Sequence, residues 1–455
     1  MFGRIIFLPL LSIMMYVSEV TAQTDTYTVH LRGQLQNMGT RDVTLSPDDA
    51  ASMLGNSRDV IIHTDKEGRF DTILTLRKPA YYNLHRNTLY LSPGDDMEIT
   101  VGQNQLRAQF TGKGAVANEY MKGRLFPKAG SYLNGGGNLR DDFVQFRAFV
   151  DSMVVDRRKQ LSELSDVSSE FYDMENARID ADILNTYINY PSLALTYSRY
   201  RKTDMTREKI PSFYEELADS MRPLINRIND DKYLDVAVVR EVLLDLMESN
   251  RLRAWVTGIT FSPRLQALSK ASRWARQLQR QNDKQTLDEA QAFIETLKEC
   301  DFSQELRMRI EKALRIGKGR AAADIQLIAP DGSLHHLSEY KGKVIFLDFW
   351  ATWCGPCIKE APFFQELSTR FSSDDVIFIQ VSIDTNKNTW KNYLKNHPNI
   401  LPQYNSTDIV LREQWGITEI PRFVLINRDF IIESSYAPNP SDPEAARLIT
   451  RSLSR

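Results

Sequence analysis

The 455-residue sequence is poor in cysteine, with three, and in histidine, with six, and its 57 Lys+Arg against 59 Asp+Glu leave a formal net charge of −2. Each shortage excludes something. Three cysteines cannot staple so long a chain into a disulfide framework. A near-neutral balance lacks the basic excess that neutralises phosphates, so no nucleic acid is expected as a partner. Beyond the first two dozen residues no apolar run approaches the roughly 18 residues that mark a membrane span. What is present is an ordinary globular composition, 42% hydrophobic and 25% charged. At ~100–200 residues per domain, the length suggests two to four domains.

The N-terminus carries Arg4, an apolar run from Ile5 to Val17 and the small-residue pattern Val20-Thr21-Ala22. This is the layout of a secretory signal peptide, expected over residues 1–22 with cleavage near Ala22. A helix over that run spans only about 20 Å of a hydrocarbon core about 30 Å thick. The mature protein is therefore expected in the periplasm or another extracytoplasmic space, without stable membrane insertion. No cysteine follows the cleavage site, so lipid attachment there lacks an acceptor.

Short alternating runs follow at Tyr27–Leu31, Val60–His63, Phe70–Leu76, Tyr81–Leu84, Leu89–Leu91 and Met97–Val101, with turn residues at Asp65–Gly68 and Ser92–Asp95. They predict an antiparallel β-domain, sandwich-like, over residues 24–114. His30, His63 and His85 fall in separate strands without ligand spacing and read as structural. Over residues 115–316 the period becomes 3.6, with stripes at Phe143/Phe146/Phe149/Val150/Met153, Leu265/Leu268/Trp274/Leu278 and Phe293/Ile294/Leu297. These predict a helical spacer. Ser212 with Glu215 and Thr286 with Glu289 have capping-box spacing, and Ser262-Pro263 marks another helix start. Gly135-Gly136-Gly137 lacks both a preceding strand and a following Lys-Ser/Thr, so it reads as a flexible loop and not as a phosphate cradle. Gly317–Arg320 marks the boundary of a last domain over residues 321–455.

That domain reads β, β, α, β, α, β, β, α, a mixed sheet with helices on its faces. Four of its strands are expected at Val344–Phe349, Val376–Ser382, Phe423–Ile426 and Ile431–Ser434. The nearly all-apolar first of these runs into Trp350-Ala351-Thr352-Trp353-Cys354-Gly355-Pro356-Cys357. Both cysteines thus fall where strand gives way to helix. A thiolate there is stabilised by the helix dipole and free N–H groups, which can lower a thiol pKa from about 8.5 to about 7. Cys354 is the expected nucleophile, and Cys357, one turn on, is placed to resolve a mixed disulfide. Pro356 suits the first helical turn. A zinc half-site would need a second ligand pair, but Cys300 stands alone and His335-His336 point to opposite faces of a strand, so no metal is expected. An inert structural disulfide is the remaining plain alternative.

The run Phe349–Cys357 resembles the active-site signature of the thioredoxin superfamily. With Gly342-Lys343 before it and Ile358-Lys359-Glu360-Ala361-Pro362 after it, the segment is similar to the exported TlpA/ResA-like thiol-disulfide oxidoreductases. The resemblance covers about Ala323–Arg455. Less specifically, the β-domain with its Tyr90–Asp95 stretch and the helical spacer resemble the N-terminal part of exported thioredoxin-like proteins typical of Bacteroidetes. The resemblance implies that Ile420-Pro421 carries a cis-proline whose neighbouring backbone pairs with an extended client. Trp353, Gly355 and Pro356 complete the implied client-binding rim. Asp348 matches the buried acid behind the resolving cysteine, a position where many exported relatives have asparagine. Glu360 matches an acid found after the second cysteine, with a solvated helix residue as the alternative. The function so implied is a thiol-disulfide oxidoreductase with no cofactor beyond the Cys354–Cys357 disulfide. It would reduce client proteins and draw on a membrane thiol electron donor. The alternative is a client-binding or scaffold protein whose N-terminal domains capture a partner, with the thioredoxin-like domain as docking surface.

Overall fold

Period-two alternation and its loss at buried strands organise the N-terminal residues. The computed structural model describes residues 28–454 except 37–41, 56–57, 103, 126–130, 198–202, 281–283, 298–299, 399, 409, 412–413 and 418. The expected signal segment lies outside the described residues. The first strands are β1 (Thr28–Gln36), β2 (Asp42–Pro47), β3 (Val60–His63), β4 (Arg69–Thr75), β5 (Ala80–Leu84), β6 (Asn87–Leu91), β7 (Asp96–Gly102) and β8 (Gln109–Lys113). They form two four-stranded sheets, β4-β1-β7-β8 and β3-β2-β5-β6. Pairing is antiparallel except between β1 and β7, which run parallel. Inward residues Val29, Leu31, Met97 and Ile99 of one sheet share a core with Leu45, Leu84, Leu89 and Leu91 of the other. Strand β6 is buried at every position, because its second face, with Tyr81 of β5 and Tyr90, packs on the helical core.

The helices are α1 (Ala115–Met121), α2 (Phe143–Ser162), α3 (Ser169–Tyr197), α4 (Ile210–Ile228), α5 (Ala237–Glu248), α6 (Pro263–Arg280), α7 (Lys284–Glu295) and α8 (Ser303–Arg315). Their apolar stripes meet in one large core that includes Phe146, Leu265, Leu268, Leu278, Ile294 and Leu297. Ser262-Pro263 opens α6, with Ser262 Oγ accepting from the Leu265 N–H at 3.0 Å. Two expected caps are displaced. Ser212 lies inside α4 and donates to the Lys209 carbonyl at 3.1 Å, because Pro211 already fixes the first turn. Thr286 is buried within α7, which starts at Lys284. The expected flexible loop at Gly135–Gly137 is instead a packed turn over Ser131–Gly136, with Asn134, Gly135 and Gly136 at φ 46°, 59° and 96°. Tyr132 and Leu133 anchor it in the core, and a Cβ on Gly136 would stand 2.7 Å from the Tyr197 ring.

The last region comprises β9 (Gln326–Ile328), β10 (Leu334–His336), β11 (Val344–Trp350), α9 (Gly355–Ser368), β12 (Val376–Ser382), α10 (Lys387–Asn396), β13 (Gln403–Asn405), β14 (Arg422–Ile426), β15 (Ile432–Ala437) and α11 (Pro443–Leu453). Its sheet order is β10-β9-β13-β12-β11-β14-β15. Strand β11 is buried at all seven positions, parallel to β12 and antiparallel to β14. Alternation sends Ile345, Leu347 and Phe349 to one core and Val344 and Phe346 to the other, where α9 contributes Phe364 and Leu367. Asp348 therefore sits on the α9 face of the central strand.

Candidate active site

The peptide leaving β11 turns into α9 at Cys354, which is the N-cap of that helix, with Pro356 in the first turn. Cys354 and Cys357 form a disulfide with Cα atoms 5.3 Å apart. Cys354 Sγ also accepts from the Cys357 backbone N–H at 3.2 Å. The helix thus aims an N–H group and its positive end at that sulfur, which favours a thiolate once the bond is reduced. Exposure is 5% for Cys354 and 2% for Cys357. Both pack with Trp350, Ala351 and Trp390, and Ile420 borders the same cluster. Trp353 is 70% exposed, and Gly355 and Pro356 are exposed beside it. The Ile420–Pro421 peptide bond is cis, with Pro421 half-buried. Thr418, in the approach to that proline, lies outside the described residues.

Asp348 is 1% exposed. Its Oδ2 accepts from Gln380 Nε2 at 2.7 Å, while Oδ1 is buried with no hydrogen-bond partner. Burial pushes its pKa up to about 7; the Gln380 bond opposes this and the charge of Glu360 adds to it. Glu360 is half-buried on α9 and bound elsewhere. Its carboxylate accepts from Ser441 N at 3.1 Å and Ser441 Oγ at 2.9 Å, tying α9 to the approach of α11. Glu360 therefore reaches Asp348 through its field.

Sequence reading passed over a second buried acid. Asp384 accepts from Thr352 N at 2.9 Å, Thr352 Oγ1 at 2.8 Å and Ser382 Oγ at 2.7 Å. Asn405 Nδ2 donates to the Asp384 carbonyl at 2.9 Å. These bonds clamp the loop that delivers Cys354. Gln380 was also missed, although it stands fifth in β12 just as Asp348 stands fifth in β11, and that match was a usable signal. Cys300 remains a thiol, partly buried against the helical core and apart from the site cluster. His335 and His336 bind separate acids, Glu339 at 3.0 Å and Asp324 at 3.1 Å.

A mixed sheet, a Cys-x-x-Cys disulfide at a helix start and a cis-proline at its side define a thioredoxin-like thiol-disulfide oxidoreductase. Comparison with known proteins agrees: the Redoxin family profile matches residues 317–449. The thiol-disulfide oxidoreductase ResA of Bacillus cereus is 30% identical over 134 residues, which are 30% of this chain and 73% of that protein. ResA of Bacillus subtilis is 32% identical over 112 residues, 25% of this chain and 63% of that protein. A solved Bacteroides vulgatus structure, assigned as a thiol-disulfide oxidoreductase, is 44% identical with a TM-score of 0.30, covering 30% of this chain and 98% of its own. Through these C-terminal residues, the chain belongs to the ResA-like thiol-disulfide oxidoreductase family. Among the described residues no helix is long and apolar enough to cross a membrane.

Proposed function

We propose that the protein is an extracytoplasmic reductase of client-protein disulfides. Reduced Cys354 attacks one sulfur of the client disulfide, forming a mixed disulfide and releasing the other client sulfur as a thiolate. Cys357 then gives up its proton to Asp348 and attacks Cys354 Sγ. The second client thiolate leaves, the Cys354–Cys357 disulfide closes, and two electrons have passed to the client. The observation that carries this reading is the Cys354–Cys357 pair at the start of α9 with Asp348 on the same face of β11. Trp353, Gly355, Pro356 and the backbone at Ile420-Pro421 form the client rim.

The Gly355-Pro356 dipeptide favours the reducing direction, since it is the one found in thioredoxin, whose potential is about −270 mV against about −120 mV for a strong oxidant. That gap is worth about 7 kcal/mol for two electrons. The residues before Gln23 support export, and a reductase outside the cytoplasm needs electrons from a membrane thiol donor. Insulin reduction with dithiothreitol tests the reading. The protein should accelerate precipitation of the insulin B chain, and Cys354→Ser should abolish the acceleration. Client capture without any reduction by the intact protein would favour the binding or scaffold function instead.

A further inference from the structure

We propose that Gln380, oriented by Gln403, is the positioning residue that presents Asp348 to the resolving cysteine as a proton acceptor. This rests on the reading of Asp348 as the base for Cys357 and adds what tunes that base. Asp348, Gln380 and Gln403 stand in register on three adjacent strands, Asp348 opposite Gln380 and Gln380 opposite Gln403. Gln380 Nε2 donates to Asp348 Oδ2 at 2.7 Å, and Gln403 Nε2 donates to Gln380 Oε1 at 2.6 Å.

A glutamine amide has a donor end and an acceptor end, and turning it over exchanges them. A donor facing the carboxyl favours its ionised form; an acceptor there would favour the protonated acid. Because Gln403 occupies Oε1 of Gln380, the end left for Asp348 is the N–H end. The bond from Gln403 Nε2 thus favours, from two strands away, the Gln380 orientation that eases ionisation of Asp348, while Gln403 Oε1 itself is buried without a hydrogen-bond partner. Since both amides are neutral, the carboxyl receives one hydrogen bond and no compensating cation.

The other elements around Asp348 bring little charge. From α9 come Glu360, whose field opposes ionisation, and Cys357, titratable once reduced. Strand β14 places Phe423 opposite it, and Arg422 next in line lies over the Tyr436 ring at 3.1 Å. Helix α11 contributes Ala445 and Ile449. Among these groups, Gln380 is the one that favours the carboxylate.

The test follows the release phase of client reduction by stopped-flow Trp fluorescence across pH, with the Asp348 carboxyl titrated by 13C NMR in the reduced protein. Gln380→Leu should move both midpoints up by about one to two pH units, the effect of losing one hydrogen bond to a charged group. Gln403→Leu should move them the same way by less, since Gln380 can then turn over. Gln380→Lys should move them below wild type. A merely structural glutamine would leave the midpoints unmoved on replacement by Leu, and the Lys variant serves as the control that a charge at this position reaches Asp348. If Asp348→Asn removes the pH dependence of release while Gln380→Leu and Gln403→Leu leave the midpoints unchanged, the positioning role is wrong and the base stands. If Asp348→Asn leaves the pH dependence intact, the base assignment fails and this proposal with it.

Discussion

Asp348 holds a proton to about pH 7 because burial removes its hydration and a single neutral donor only partly offsets that. The folded pKa lies above the ordinary 3.8, so the folded state binds a proton that the unfolded chain has released. Its contribution to stability is therefore lost as pH rises from about 4 to about 7, and the cost is complete above that. About three units at 1.36 kcal/mol each set the cost near 4 kcal/mol at most. Asp348→Asn should raise the melting temperature at pH 8 and give no gain at pH 4, as thermal unfolding at the two pH values would register. An equal effect at both would contradict the linkage. Cys300, outside the cluster around Cys354 and Cys357, should be dispensable: Cys300→Ser should retain wild-type insulin reduction, and its loss in a folded variant would bring a third thiol into the reaction. The placing of Cys354 and Cys357 at a helix start could be read from the sequence, since their spacing and their place after an apolar strand are local. Asp384 could not, because its function is defined by Thr352 and Ser382 contacts that exist only after β11 and β12 pair.

The junction between β11 and α9 is held by those contacts. A carboxylate accepting from Thr352 N, Thr352 Oγ1 and Ser382 Oγ leaves all three groups without it if removed. Asp384→Ala should destabilise by roughly 3 kcal/mol, the scale of losing charged hydrogen bonds in a buried site. It should also slow alkylation of reduced Cys354 near neutral pH, because the loop no longer fixes that sulfur at the helix start. Unchanged denaturant unfolding and labelling would remove Asp384 from this role. Element type was most legible where burial is nearly complete: Val376–Ser382 was expected as a strand and is β12 in full. Strands β2 and β8 were not anticipated. The first offers only Val43 and Leu45 as alternating apolar residues and ends in Pro47, and the second offers Phe110 followed by Gly112. The burial of β2 comes from β5, distant in sequence, while β8 pairs with β7, the strand just before it. The capping pattern at Ser212 misled because Pro211 nucleates the same turn one residue earlier.

Across the whole molecule, the residues between helices and thioredoxin-like sheet are tied down. Gly319 N donates to Ile432 O at 2.8 Å, Ile432 N to Arg320 O at 2.8 Å, and Ala322 N to Phe430 O at 2.9 Å, so the linker extends the sheet beside β15. A chain beginning at Gly317 should therefore melt several degrees above one beginning at Ala323, which lacks these bonds, as calorimetry of the two would measure. Equal melting temperatures would show the linker pairing to be inconsequential. The linker could not be read as paired from Gly317-Lys318-Gly319-Arg320 alone, since glycine and charge look the same in a loose connection. The central claim, that this fold holds Cys354 at a helix start to exchange disulfides with a client and Cys357 to resolve the adduct, is tested most directly by trapping. Reduced Cys357→Ser protein, mixed with an oxidised client and analysed by mass spectrometry after proteolysis, should carry the client in a mixed disulfide on Cys354. Absence of an adduct, or an adduct on Cys300, would contradict the account.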